Sequence, residues 1–337
     1  MNIVEQIAPH RPSVHTPVPG IDLPRGERPL RVAVVGPHIA SADALAHAVT
    51  RLAAEYGVGG RAVAGEEERG SLAVLVEVPS PFRDRPGATE REILDFIQKA
   101  AEHAPDIVLL DYGWTVHLPR QMYVTSERQA LRRLSYRALL IAAGGNTDIN
   151  TRKGDATAPA IYPEVLAVGP IDADGRLQSY AEWTPELSKP DIFMQDELIG
   201  TALEGALAKY RPQSVQLIGG SSFAALHAVG AAILAWSTLP DLSPDELRDL
   251  LRRASRPIEM RSTRQPLALT VQAAVAEARR EVVKRDLKEG PSSLQTLSAI
   301  SGLDLRLVNQ SLNALVAGGE VRRLTRGRLE RYELRQG

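Results

Sequence analysis

Gly220-Ser221-Ser222 stands at the head of a long apolar run, Phe223 to Leu239. A serine hydroxyl attacks an acyl carbon when a neighbouring base takes its proton. At the amino end of a helix, free amides and the helix dipole stabilise the negative charge that such attack creates. Ser222 is therefore a candidate nucleophile for acyl transfer. The small residues Ala224, Ala225, Ala228 and Gly230 let the helix pack closely beneath it. The same Gly-Ser-Ser also reads as a loop and a helix cap, so these residues alone leave both roles open.

The elements that would position this serine are legible as pattern. Val32 to Val35, Leu72 to Val78, Ile107 to Leu110, Ala138 to Ala142 and Val165 to Val168 read as strands. Helices are expected from Ser41 to about Tyr56, Glu90 to His103 and Arg128 to Tyr136. Continuous apolar strands alternating with helices indicate a parallel sheet covered on both faces, hence an α/β fold. Phe223 to Leu239 is apolar nearly all round, so it must be buried on most sides. Ser243-Pro244-Asp245-Glu246 opens a further helix, with serine as cap and proline in the first turn. Residues 1–28 form a proline-rich arm, since proline lacks the donor that helix and sheet need.

The Ser222 segment, Gly220-Ser221-Ser222-Phe223-Ala224-Ala225-Leu226-His227-Ala228-Val229-Gly230, resembles the nucleophile motif of the subtilases, the subtilisin-like serine proteases. Further segments are similar to that family, in the family's order. They are Asp106 to Gly113, Ile141-Ala142-Ala143-Gly144-Gly145-Asn146, Tyr162 to Gly169, Lys189-Pro190-Asp191-Ile192 and Leu269 to Ala273. The resemblance covers about residues 30 to 276. It implies a subtilisin-like parallel sheet with helices on both faces, Ser222 as nucleophile and Asn146 as the side-chain donor to the oxyanion. It also implies that His227 is a structural histidine.

Three positions depart from the family pattern. The catalytic aspartate would follow the first strand, where this chain has Gly36. The general base would open the next helix, where Ala42 or Ala44 stands. Met194-Gln195-Asp196 departs from the end of the family's K-P-D-I-x-A-P-G segment. A serine without its base loses ~10⁴-fold or more in turnover. The reading is thus a pseudoprotease whose cleft binds a peptide or protein. The alternative is an active endopeptidase in which His38, oriented by Asp43 or Asp111, is a non-standard base.

Residues 277–337 differ in texture and hold 12 Lys and Arg against 8 Asp and Glu. Helices at Val271–Lys288, Ser293–Ser301 and Asp304–Val316 precede two alternating segments, 320–324 and 329–334. This order resembles a winged helix of bacterial transcription regulators. Leu305, Val308, Leu312 and Leu315 make one face of the third helix. Arg306, Asn309, Gln310 and Asn313 line the other, with side chains that suit base edges. Arg326 and Arg328 in the wing suit phosphates. The expected domains are the arm (1–28), a subtilase-like domain (29–276) and a winged helix (277–337). The expected partners are DNA and a cleft ligand, with a homodimer left open. A third reading is a scaffold without specific chemistry.

Composition narrows the rest. Lys and Arg number 40 against 41 Asp and Glu, which excludes a chain-wide polycation. The absence of cysteine excludes disulfides, zinc-thiolate sites and a cysteine nucleophile. No Cys/His cluster has metal-ligand spacing, so no metal or cofactor is expected. The apolar runs read as too short for a membrane span, and no secretory signal pattern is read at Met1, so the expected location is cytoplasmic, with no membrane contact.

Overall fold

The computed structural model describes residues 28–35, 73–78, 89–117, 125–146, 155–196, 220–259, 264–326 and 329–335. The proline-rich arm up to Glu27 and the helix expected from Ser41 lie outside them. An eight-stranded sheet runs β2-β1-β3-β5-β7-β8-β10-β9. Its strands are β1 (Leu30–Val35), β2 (Ala73–Val78), β3 (Ile107–Leu110), β5 (Leu139–Ala143), β7 (Leu166–Ile171), β8 (Ile192–Gln195), β9 (Arg256–Pro257) and β10 (Leu267–Ala268). All pairings are parallel except that of β9 with β10. A separate antiparallel pair joins β4 (Trp114–His117) to β6 (Asp155–Ala158).

Alternation along the strands divides the core into two layers. Leu30, Val32 and Val34 of β1 share one face with Ile107 and Leu109 of β3. Ala33 and Val35 share the other with Val108 and Leu110. The second face is covered by α1 (Glu90–Glu102) and α2 (Ser126–Ser135), through residues such as Phe96 and Leu131. The first is covered by α3 (Ser221–Thr238), α4 (Pro244–Arg253) and the amino half of α5 (Val271–Leu287). Helix starts follow their capping chemistry. Thr89 with Glu92, and Ser243 with Glu246, each form a reciprocal capping box, and Pro244 occupies the first turn of α4.

Helix α3 is long and apolar enough to cross a membrane by length and composition, contrary to the expectation from apolar run length. It is buried among the sheet and its neighbouring helices, with Phe223, Ile233 and Trp236 fully enclosed. The strands missed in the sequence, β4, β6, β8, β9 and β10, are two to four residues long, too short to show a period.

Beyond α5 follow α6 (Leu294–Ser301), α7 (Leu305–Ala317) and an antiparallel pair, β11 (Val321–Arg326) with β12 (Leu329–Leu334). They enclose their own apolar cluster with Val283 and Leu287 of α5, built from Leu297, Val308, Leu312, Leu315, Val321 and Tyr332. Leu305, expected on the buried face of α7, is 45% exposed. It is the first helical residue and lies past the edge of that cluster.

Glu127 is the second residue of α2 and is only 2% exposed. Tyr162 donates its hydroxyl to Glu127 at 3.0 Å, and Tyr112 makes a longer contact of 3.4 Å. Burial pushes the carboxyl up to about 7, against these two hydroxyls and with a smaller push from the Glu90 charge. Because the folded pKa lies above the unfolded one, the protonated form favours folding. This group's stabilisation is full below about pH 4.5 and is lost as pH rises toward 7, by up to about 3 kcal/mol. Glu127→Gln should therefore stabilise the protein at pH 8 and flatten this part of the pH profile. Urea unfolding of both proteins between pH 5 and 8 measures it; parallel profiles would contradict the assignment.

Candidate functional site

In a parallel α/β sheet, ligands bind beyond the carboxyl ends of the strands. Three segments meet there: Gly144-Gly145-Asn146 after β5, Asp196 after β8 and Gly220-Ser221-Ser222 at the start of α3. Helix α3 has Gly220 as its N-cap and no side-chain cap of its own. Its first amides go to distant side chains instead. Ser221 N–H donates to Asn146 Oδ1 at 3.0 Å, and Gly220 N–H donates to Asp196 Oδ2 at 2.8 Å. Asn146 and the Ser222 turn, 75 residues apart for the bonded pair, are thus in direct contact. With Oδ1 occupied, Asn146 Nδ2 is the donor left for a ligand. Ser222 is half-buried and Asn146 exposed, so both can be reached from solvent.

The approach is close enough to demand glycine. Gly220 has φ +121°, and a Cβ there would sit 3.2 Å from Asn146 Nδ2. Gly145 has φ +98°, and a Cβ there would fall 2.6 Å from the Glu182 carboxylate. Glu182 in turn accepts from Thr157 Oγ1 at 2.9 Å, and its neighbour Ala181 bridges to Asn146. Gly144, Thr157, Ala160, Ile161 and Glu182 line a shallow depression beside the turn.

His227 lies one turn further along α3. Its Nδ1 is 2.6 Å from the Gln195 carbonyl oxygen, so Nδ1–H is the donor. Burial lowers the imidazole pKa, partly offset by that carbonyl and the Asp196 charge, and keeps the ring neutral. The ring therefore ties α3 to the end of β8.

The proposed acid and base positions, Gly36, His38, Ala42 and Ala44, lie outside the described residues, as does Asp43. Asp111, which follows β3, is buried and donates its N–H to the carbonyl oxygen of Val35, the last residue of β1, at 2.7 Å. Sequence reasoning did not assign Asp196 or Glu182 to the site; for Asp196 the signal was its departure from the family segment.

In the C-terminal part, Arg306, Asn309, Gln310 and Asn313 are all exposed on α7. Arg306 Nε lies 3.3 Å from Asp304. Two of the hairpin arginines have acidic partners: Arg322 donates to Glu333 at 2.6 Å, and Arg323 is 3.0 Å from Glu330. Arg326 ends β11, and Arg328 lies outside the described residues.

The α/β fold agrees with comparisons to known proteins. The sequence model of the subtilase family matches residues 57–289, more than half of the chain. The protein belongs to the subtilase family. A halolysin-like extracellular serine protease, Nep, of Natrialba magadii is 28% identical over 168 residues, half of this chain and 28% of that protein. Subtilisin DY of Bacillus licheniformis is 27% identical over 113 residues, 34% of this chain and 38% of that protein. The matched stretches thus span well under half of these relatives. The patellamide maturation protease PatA has the same fold at a TM-score of 0.53 and 20% identity, over 75% of this chain and 98% of that one. The serine protease MycP1 is similar at 0.52 and 16% identity, over 74% and 84%.

The backbone at Gly220 is open to test. Its φ,ψ combination is accessible essentially to glycine alone. Gly220→Ala should cost about 1–3 kcal/mol of stability from backbone strain. Gly290→Ala, at φ +132° with nothing within 4 Å, gives the backbone penalty without the contact. Denaturant unfolding of both should show the larger loss at Gly220; equal losses would remove the Asn146 contact from the account.

Proposed function

We propose that the protein is a pseudoprotease: a subtilase-fold receptor for a peptide or protein, coupled to DNA through its C-terminal helices and hairpin. The observation that carries the first half is the pairing of an intact Asn146–Ser221 contact with Gly36, Ala42 and Ala44 at the acid and base positions. On this reading Asn146 and the head of α3 hold a peptide carbonyl, while glycine and alanine at the acid and base positions cannot move protons. Proton transfer in both directions is what turnover requires. A peptide library offered to the wild type and to Ser222→Ala should remain uncut by both. Cleavage by the wild type that Ser222→Ala abolishes would overturn the reading.

A specific observation favours the second reading, an active endopeptidase. The buried Asp111 donates its N–H to Val35 at the end of β1, and on this reading its carboxylate orients His38. In that case His38→Ala would abolish the cleavage as well. Cleavage lost with Ser222 but kept without His38 would place the base elsewhere.

The DNA half rests on four exposed polar side chains along one face of α7, beside an arginine-bearing hairpin. The ion pairs Arg322–Glu333 and Arg323–Glu330 spend part of that charge, so α7 carries more of the reading than the hairpin does. Arg306→Ala or Asn309→Ala should weaken a specific duplex by ~1–3 kcal/mol. Arg326→Ala should weaken all sequences alike and flatten the salt slope. The full chain showing no duplex binding at low salt would end this half. Calorimetry of the cleft ligand with and without duplex tests coupling, expected at ~1–3 kcal/mol and reciprocal.

A further inference from the structure

Asp196 follows β8 and is 1% exposed. Three donors converge on its carboxylate. Gly220 N–H reaches Oδ2 at 2.8 Å, Gln178 Nε2 reaches Oδ1 at 3.1 Å, and the Tyr180 hydroxyl also donates to Oδ2. Gly220 is the N-cap of α3 and lies two residues before Ser222. The amino end of a helix carries roughly half a positive charge and several free amides. In serine hydrolysis, amides and positive potential at such a place favour the oxyanion. Here a carboxylate of the same chain already accepts from the Gly220 N–H at that helix end. A second negative charge at a Ser222 adduct would form beside a fixed one, in a setting where charges interact strongly.

We propose that Asp196 is an internal counter-ion to the amino end of α3, which opposes negative charge at Ser222 and suits the notch to neutral peptide groups over anionic ones. The proposal deepens, and rests on, the reading of the cleft as that of a pseudoprotease in which Ser222 keeps the family's nucleophile position. Other contacts agree with a fixed charge there. Burial and the adjoining Asp196 hold the Tyr180 hydroxyl well above its usual pKa, so it stays a donor. The same charge acts on His227 along α3. The alternative, that Asp196 merely braces the turn, makes the opposite prediction for its neutral isostere.

The test uses the full chain and a fluorophosphonate probe. Ser222 Oγ forms the bond to phosphorus, the P–F bond breaks, and fluoride and the hydroxyl proton leave to solvent. The adduct is followed by intact mass and mapped to Ser222, with Ser222→Ala as blank. Asp196→Asn keeps the shape and an acceptor for Gly220 N–H but removes the charge. It should be labelled at least about tenfold faster than the wild type. The His227 imidazole pKa, read by NMR, should fall in the same variant, which a purely bracing role would not require. Labelling rates within twofold of each other, slower labelling of Asp196→Asn, or no adduct in either protein would overturn the proposal. If Asp196→Asn does not fold, Tyr180→Phe removes a donor that disperses the same charge; it should slow labelling about threefold, and faster or unchanged labelling would overturn the proposal. Peptide turnover by the wild type would sink the pseudoprotease reading without changing the ratio of labelling rates, so the two failures are distinguishable.

Discussion

A buried helix must still satisfy its first amides, and α3 brings no capping side chain to do so. Gly220 and Ser221 are themselves buried, so their amides have little access to water. The acceptors therefore come from two strand ends, Asn146 after β5 and Asp196 after β8. Those strands flank β7, so the order β5-β7-β8 is what brings the two acceptors to one helix end. The turn between them has room only for glycine at 220. The geometry of the candidate site is the solution to this capping problem. A group that satisfies an amide in the resting protein is also a group within reach of anything bound there.

The two acceptors are not equivalent. Asn146 is neutral and bifunctional: accepting through Oδ1 leaves Nδ2 as a donor. Asp196 is acceptor-only when ionised and brings a charge with it. Capping with one amide and one carboxylate fixes the turn firmly while filling the helix end's positive potential. On the proposed reading, stability and anion binding compete for the same helix end, and the capping groups favour holding a ligand over turning it over.

The inner strands were legible because β1, β3, β5 and β7 are covered on both faces and read as unbroken apolar runs. The helix start at Ser243 announced itself through its cap. Ser222 and Asn146 were legible through motif alone. The bond between Ser221 and Asn146 that joins their segments spans 75 residues, and no local spacing expresses it. Asp196 and Glu182 are single carboxylates beyond strand ends, and nothing local marks them as facing a helix terminus. Leu305 has the right period for burial but lies one residue outside the cluster it would join. Period shows direction around a helix and not where the neighbouring surface stops.

Helix α5 shows the same limit of pattern, and its reason bears on function. Val271, Ala274, Val275 and Ala278 lie against the core that holds α3, whereas Val283 and Leu287 belong to the C-terminal cluster. At 100° per residue the two buried stripes point about 150° apart. No single apolar face exists along α5, because the helix is shared between two cores on nearly opposite sides. The alanines at 274 and 278 let the first half lie close to α3, whose amino end carries Ser222. Helices are stiff along their length and packed cores deform little. On the proposed reading, a ligand that shifted α3 would press on one stripe of α5, and the other stripe would carry the displacement to the cluster that seats α7. The split stripe that leaves this helix without a single apolar face is what, on the proposed reading, would let the two ends of the protein sense each other.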